Sequence, residues 1–396
     1  MLDRDILSKQ GRYLVALSGG ADSVALLLLM LDGGYRVEAV HCNFHLRGSE
    51  SDRDEQFVVK LCERLGVELH RVHFDTRTYA ALHRQSIETA ARNLRYAYFE
   101  RLRHDIGADA IVVAHHRDDN AETVMMNLVR GTGINGMCGI RPINGRILRP
   151  LLGVSRRDIE AFLSRRGQDY VTDSTNLEHD ATRNKFRLEV IPLLSTINPS
   201  VVKAIDTTSR HLREAAKMVS WAVEKMIGEV VTHEEDNIDA VNVERLLSTP
   251  APEYLLNEIC SRYGFTPQQT EVVFRMMKGG TKGRTISSAT HEIAAEPSRL
   301  LIGRANDRPK PLSVPMEGLY AYGDRHLRVS LSRFSPSADA VSKSPSVATL
   351  DASAVTFPLL LRPWREGDRF HPFGMKGTKL VSDYLTDRKK KLFPAS

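Results

Sequence analysis

The chain has 396 residues, 42% hydrophobic and 26% charged, with a formal net charge of +6. That length holds two or three domains with ample core, and so small a charge does not by itself select a polyanionic partner. The four cysteines are scattered with no CxxC, which argues against a disulfide framework, a zinc ribbon and an iron–sulfur cluster. No signal pattern opens the chain, and its longest apolar run, Val24–Leu31, is too short to cross a bilayer. A cytoplasmic protein with no membrane partner is expected.

The first half alternates short apolar runs with amphipathic stretches. Tyr13–Leu17, Arg36–His41, Glu68–Phe74 and Ala110–Ala114 read as strands. Helices between them are announced by start signals at Ser51 with Asp54, Asp119 with Glu122, and Ser155 with Asp158. Strands separated by helices of this length predict a parallel sheet covered on both faces. In such a sheet the ligand lies beyond the carboxyl ends of the strands. From about Pro199 to Lys278 the pattern turns helical with little strand character, followed by a hairpin unit over Gly279–Gly303. A Ser/Pro/Ala-rich stretch then leads to a last segment containing RPWREGDRFHPFGMKGTKL. From Phe357 onward there are nine Lys/Arg against four Asp/Glu, a surface suited to phosphate contact.

Two stretches carry the chemistry. SGGADS, Ser18–Ser23, joins the first apolar strand to the first apolar helix. Gly19 and Gly20 let successive N–H groups converge on an anion, and Ser18 and Ser23 can donate to phosphate oxygens. Asp22 at the helix start would repel phosphate unless a divalent cation lay between them, which makes it a candidate Mg²⁺ ligand. No Lys follows the glycines, so this is not a GxxxxGK[ST] loop. AHHRDDNAET, Ala114–Thr123, follows the fourth strand and therefore belongs on the same rim. A capping box would account for Asp119 and Glu122, but not for His115, His116, Arg117 and Asp118 crowded at one strand end. Arg92 and Arg95 are spaced to face one ligand together, and the glycine-rich stretch Arg130–Pro142 is a candidate closing loop. His45-Leu46-Arg47 and Asp173–Asn176 follow other strand-like stretches.

SGGADS at a strand–helix turn, with AHHRDDNAET on the same rim, resembles the N-type ATP pyrophosphatase (PP-loop) family. Within it the chain is most similar to the tRNA(Ile)-lysidine synthetases, on NFHLRG (Asn43–Gly48), IETAAR (Ile87–Arg92), RGTG (Arg130–Gly133), RPLL (Arg149–Leu152), DSTN followed by Arg183–Asn184, and GDRFHPFGMKGTK (Gly367–Lys379). The resemblance implies a Rossmann-like catalytic domain over 1–198, a mainly helical tRNA-contacting domain over 199–306, and a small basic α+β tRNA-binding domain over 307–396 that is short or truncated. The implied activity attaches L-lysine, with ATP and Mg²⁺, to C2 of the first anticodon cytidine of isoleucine tRNA (CAU). It implies that Ser18, Gly19, Gly20, Ala21, Asp22 and Ser23 bind ATP, and that Asp22, Asp119, Glu122 and Arg92 serve catalysis. It also implies that His45, Arg47, His115, Asp118, Arg130 and Arg183 contact substrate. A homodimer stays open.

Two rivals remain at this level. A tRNA 2-thiolation enzyme of the same superfamily would need catalytic cysteines, and only Cys138 lies near a motif. A non-catalytic ATP-gated RNA-binding protein would leave the acidic cluster idle.

Overall fold

The computed structural model describes residues 1–172, 182–234, 237–278, 285–296, 298–305, 311–322 and 325–332, with shorter stretches between 342 and 384. DSTN at 173–176 and the basic end from 385 lie outside the described residues. By its internal contacts the chain divides into two units, Met1–Ser220 and Trp221–Ser396.

The first unit is built on a six-stranded sheet. Its strands are β1 (Arg12–Ala16), β2 (Arg36–Asn43), β3 (Leu69–His73), β4 (Ala110–Val112), β5 (Ile143–Asn144) and β6 (Ile147–Leu148), in the order β3-β2-β1-β4-β6-β5. All neighbours are parallel except β5, which turns back antiparallel on β6. The order reverses between β1 and β4, so the crevice of the sheet opens beyond the carboxyl ends of those two strands. SGGADS leaves β1 and AHHRDDNAET leaves β4, so the chain order of the sheet puts both motifs at that crevice.

The helices are α1 (Ala21–Asp32), α2 (Ser49–Leu65), α3 (Thr76–His83), α4 (Ile87–Asp105), α5 (Arg117–Arg130), α6 (Ile134–Met137) and α7 (Arg156–Arg165). They continue with α8 (Thr182–Lys185), a π-helical turn (Phe186–Val190), α9 (Ile191–Ile197) and α10 (Val201–Val230). Helix α1 is apolar on nearly every face because it is covered all round: Val24, Ala25, Leu26 and Leu27 are fully buried, in one cluster with Val15 of β1 and Ile159 and Leu163 of α7. Burying each valine or leucine of this set contributes about 1.5–3 kcal/mol, which fixes the start of α1, and Asp22 with it, against the sheet.

Helix starts matched the expectation in one case of three. Ser155 and Asp158 form the expected reciprocal box at α7. Helix α2 instead begins at Ser49 behind Gly48, with Ser51 accepting from the Arg47 N–H and Asp54 engaged by Arg47 and Arg53. Helix α5 starts at Arg117, two residues before the position expected.

In the second unit the region expected to be helical contains two strands as well. β7 (Val231–Glu234) and β8 (Ile238–Asn242) join β9 (Thr285–Ser287), β10 (His291–Ala295) and β11 (Arg299–Arg304) in an antiparallel sheet of order β7-β8-β11-β10-β9. The expected hairpin is β10–β11, with Ile293 opposite Ile302. Ala240 and Ala294 flank Leu301 in register, and these small residues let the three strands close around one buried leucine. Helices α11 (Val243–Leu247), α12 (Pro252–Arg262) and α13 (Pro267–Lys278) accompany the sheet. The last stretch is made of three two-stranded pairs, β12 (Leu312–Val314) with β15 (Leu359–Leu361), β13 (Gly318–Tyr322) with β14 (Arg325–Val329), and β16 (Arg369–Phe370) with β17 (Lys379–Leu380). Among the described residues, no single helix is long and apolar enough to cross a membrane.

Candidate active site

The turn between β1 and α1 is held open by its own hydroxyls. Ser18 and Ser23 lie 3.1 Å apart through their Oγ atoms, Ser23 Oγ donates to the Gly20 carbonyl at 2.9 Å, and the Gly20 N–H donates to Ser18 Oγ. Gly19 has φ +92°, and a Cβ there would sit 3.2 Å from Val58 and 3.5 Å from Phe57 and Val171. The backbone therefore needs glycine for both its conformation and its space. Gly20 is the N-cap of α1, and no side chain caps the first N–H groups of this twelve-residue helix. Exposed helix N–H groups are what an anionic phosphate binds.

Asp22 sits directly behind this turn. Arg156 Nη1 donates to its Oδ2 at 2.6 Å, while its Oδ1 is buried without a hydrogen bond among the described residues, 3.6 Å from His116 Nε2. Burial raises the Asp22 carboxyl above its ordinary range, against the opposing charges of His116 and Arg156. An orphaned, desolvated carboxylate oxygen beside a turn suited to phosphate fits a hard divalent cation.

The second motif is organised around His116. The Asp119 carboxylate accepts from the His116 backbone N–H at 3.0 Å, so the box at this helix start pairs His116 with Asp119, not Asp119 with Glu122 as expected. His116 is buried among three carboxylates: Asp118 at 3.4 Å, Asp119 at 3.5 Å and Asp22 at 3.6 Å. Burial alone would lower its pKa, but those carboxylates outweigh it and hold the imidazole above its ordinary value. The neighbouring His115 goes the other way. Burial, with help from Arg149, pushes it down to about 4, and its Nδ1 accepts from Arg149 Nε at 3.3 Å. Two adjacent histidines are thus shifted in opposite directions. Asp118 accepts the Arg156 backbone N–H at 2.8 Å, which fastens the start of α7 to the motif.

Glu122 is buried to 1% exposure, and its carboxylate is gripped by two arginines. Arg183 Nε reaches Oε2 at 2.7 Å, and Arg187 Nε reaches Oε1 at 2.6 Å. Arg183 Nη2 also meets Asp119 Oδ1 at 3.1 Å. Asp119 and Glu122 therefore share a face and a pair of cations, as their spacing on one helix turn permits. The Asp119 carboxyl is buried, yet His116 and Arg183 hold it below its ordinary range.

The remaining expected residues fall in four groups. Arg183 and His115 are in the cluster. Arg92 stands next to it, since its charge is felt by both His115 and Arg149, but its guanidinium stacks on Tyr96 while that of Arg95 stacks on Phe44. The two guanidinium groups, expected to face one ligand together, thus rest on different rings. His45 and Arg47 lie beyond β2: His45 stacks on His73 with Nε2 2.8 Å from its Nδ1, and Arg47 Nη2 pairs with Asp54 at 2.9 Å. Arg130 is exposed at the far end of α5, about 16 Å along the helix axis from Asp119. Sequence reasoning missed Arg156 and Arg187. Arg187 lies one helical turn after Arg183, and that spacing is the signal that could have found it.

A PP-loop domain model matches residues 2–194 and a TilS substrate-binding domain model matches residues 234–305. The chain is 46% identical over 389 residues to a tRNA(Ile)-lysidine synthase of Parabacteroides distasonis, covering 97% of this chain and 86% of that protein. It is 44% identical over 378 residues to the synthase of the same name from Bacteroides thetaiotaomicron, covering 96% and 85%. Among solved structures, the U34-tRNA thiolase NcsA of Methanococcus maripaludis is similar at 20% identity and a TM-score of 0.46, over 54% of this chain and 76% of that one. With identities above 40% across nearly its whole length, the chain belongs to the tRNA(Ile)-lysidine synthase family.

Proposed function

We propose that this protein joins L-lysine to C2 of the first anticodon cytidine of an isoleucine tRNA with anticodon CAU, forming a C–N bond and releasing AMP and pyrophosphate. The cytosine O2 attacks the α-phosphorus of ATP, pyrophosphate leaves, and the lysine ε-amine then displaces AMP from C2. In this reading residues 1–198 carry the chemistry, while 199–306 and 307–396 hold the tRNA, with Arg130 among the contacts to it. His45 and Arg47 contribute to the substrate side of the rim.

The observation that carries the reading is the acidic pair of mostly buried Asp119 and fully buried Glu122 beside the Ser18–Ser23 turn. Free lysine has a pKa of about 10.4, so reaching the neutral amine at pH 7 costs roughly 4–5 kcal/mol. A site for this reaction therefore needs carboxylates to hold the ammonium and take its proton. Arg183 and Arg187 supply the complementary half. The α-carboxylate of lysine draws the guanidinium groups, and the ammonium takes their place on the carboxylates. Asp118 and His115 hold this arrangement, and Arg92 stands where a negatively charged adenylate would be neutralised. Asp22, through Oδ1, would hold Mg²⁺, which neutralises the polyphosphate; the turn Ser18–Ser23 orients it through N–H groups that strengthen as charge develops on the leaving pyrophosphate.

The test is mass spectrometry of nucleosides from unmodified isoleucine tRNA incubated with the protein, Mg-ATP and lysine. Cytidine heavier by lysine less water, absent with Asp119→Asn or without ATP, is the expected result. Unchanged cytidine with ATP still converted to AMP would redirect the reading to another acceptor.

A further inference from the structure

The phosphate-binding turn lacks a cation of its own, since no lysine or arginine occurs between Ala16 and Asp32. ATP bound there brings several negative charges, more than one divalent ion and a set of N–H groups neutralise. The fold brings a guanidinium to this place from 134 residues away: Arg156, the first residue of α7, reaches the turn through Asp22 at 2.6 Å. Three features suit it to phosphate. Its backbone is fixed by the bond from its N–H to Asp118, and its Nε by Glu160 at 2.7 Å. Its Nη2 makes no hydrogen bond among the described residues. Its side chain keeps 39% of its surface exposed, although Asp22 beside it is mostly buried.

Building on the pyrophosphatase reading above, we infer that Arg156 is the polyphosphate-binding cation of this site, and that Asp22 holds it in place until Mg²⁺ and the β- and γ-phosphates of ATP arrive. With Asp22 holding Mg²⁺, the guanidinium fork would be released to the phosphate oxygens, with Glu160 keeping it near. With Nε kept on Glu160, the Nη1 and Nη2 end of the planar fork is suited to bridging adjacent phosphoryl groups.

This assignment separates from a purely structural role by ligand choice. AMP lacks the phosphates that Arg156 would contact, and pyrophosphate consists of them. Calorimetric titration of the full chain with Mg-ATP, Mg-pyrophosphate and AMP would be done for the wild type, Arg156→Gln and Arg156→Lys, with thermal unfolding as the check on folding. Arg156→Gln is expected to weaken Mg-ATP and Mg-pyrophosphate by about 10- to 100-fold, the effect of a charge-assisted hydrogen bond, and to leave AMP unchanged. Arg156→Lys, which keeps the charge without the fork, falls between. Equal weakening of ATP and AMP, or no weakening of either in a folded variant, overturns the assignment while leaving the reading intact. A wild type that binds ATP and pyrophosphate no better than AMP overturns both. None of these titrations involves tRNA or lysine, so a failure to form lysidine does not enter the result.

Discussion

Arg187 lies side-on against Glu122, with Nε 2.6 Å from Oε1 and Nη2 3.0 Å from Oε2, on a carboxylate that is only 2% exposed. A bidentate pair of this kind is strong, and losing one partner leaves a desolvated charge behind. Arg183 still holds Oε2, so the charge is not abandoned entirely. Arg187→Ala is expected to lower unfolding free energy by about 1–3 kcal/mol and to raise the KM for lysine more than that for ATP. Denaturant titration and steady-state kinetics with each substrate check this. Equal increases in both KM values would detach Arg187 from the lysine side.

The two histidines predict opposite pH dependences. His116 has a folded pKa above its ordinary 6.5, so the stability it contributes is complete below about 6.5 and is lost as pH rises through the folded value. His115, pushed down to about 4, contributes stability that is present above about 6.5 and is lost as pH falls toward 4. His116→Gln should flatten the alkaline limb of a stability–pH profile, and His115→Gln the acid limb. Chemical unfolding midpoints across the range measure both. Profiles that keep the wild-type shape after a constant offset would show that neither histidine is linked to folding in this way.

At Gly19 the backbone argument is sharp, because φ +92° and a Cβ 3.2 Å from Val58 disfavour any side chain. Gly19→Ala is expected to cost about 1–3 kcal/mol of stability and to weaken Mg-ATP far more than AMP, since it displaces the N–H groups proposed to face the polyphosphate. Wild-type affinity for both nucleotides in that variant would mean that the turn adapts around the added methyl group.

Much of this site was legible in the chain. Apolar runs of strand length alternating with capped helices gave a parallel sheet, and two polar motifs at strand ends then had to share a rim. Local signals also placed the hairpin Ile293–Ile302, because alternation and glycine punctuation lie within it. The helix start at Arg117 was misplaced because Asp119 caps backward onto His116, a geometry that an S/T/D-x-x-E search reads in the wrong register. β7 and β8 were hidden because HEEDNIDAV is heavily charged and closely follows a 30-residue helix. Arg156 and Asp206 escaped for a different reason. Their partners, Asp22 and Asn120, are 134 and 86 residues away, and no local pattern encodes such a pairing.

Asn120 is the position where that long-range wiring is most exposed to test. It is buried between the two motif carboxylates in sequence, and its amide nitrogen donates to Asp206 Oδ1 and Ser209 Oγ, each at 3.0 Å. Its Oδ1 accepts the Ile140 N–H at 2.8 Å, and Arg213 meets the carbonyls of Cys138 and Ile140. The glycine-rich segment after α5 is thereby tied to both α5 and α10. Asn120→Ala removes three hydrogen bonds and leaves Asp206, mostly buried, with Arg210 at 3.5 Å as its ionic partner. A loss of about 2–4 kcal/mol follows from leaving these groups unsatisfied, without direct loss of nucleotide contacts. Unfolding by denaturant should show it, and hydrogen exchange should speed up at Ile140 while Ser18–Ser23 keeps its protection. A variant as stable as the wild type, with Ile140 still protected, would mean that water replaces the amide and that the remaining ties of the segment, from Arg213, Asn127 and Arg149, suffice to hold it.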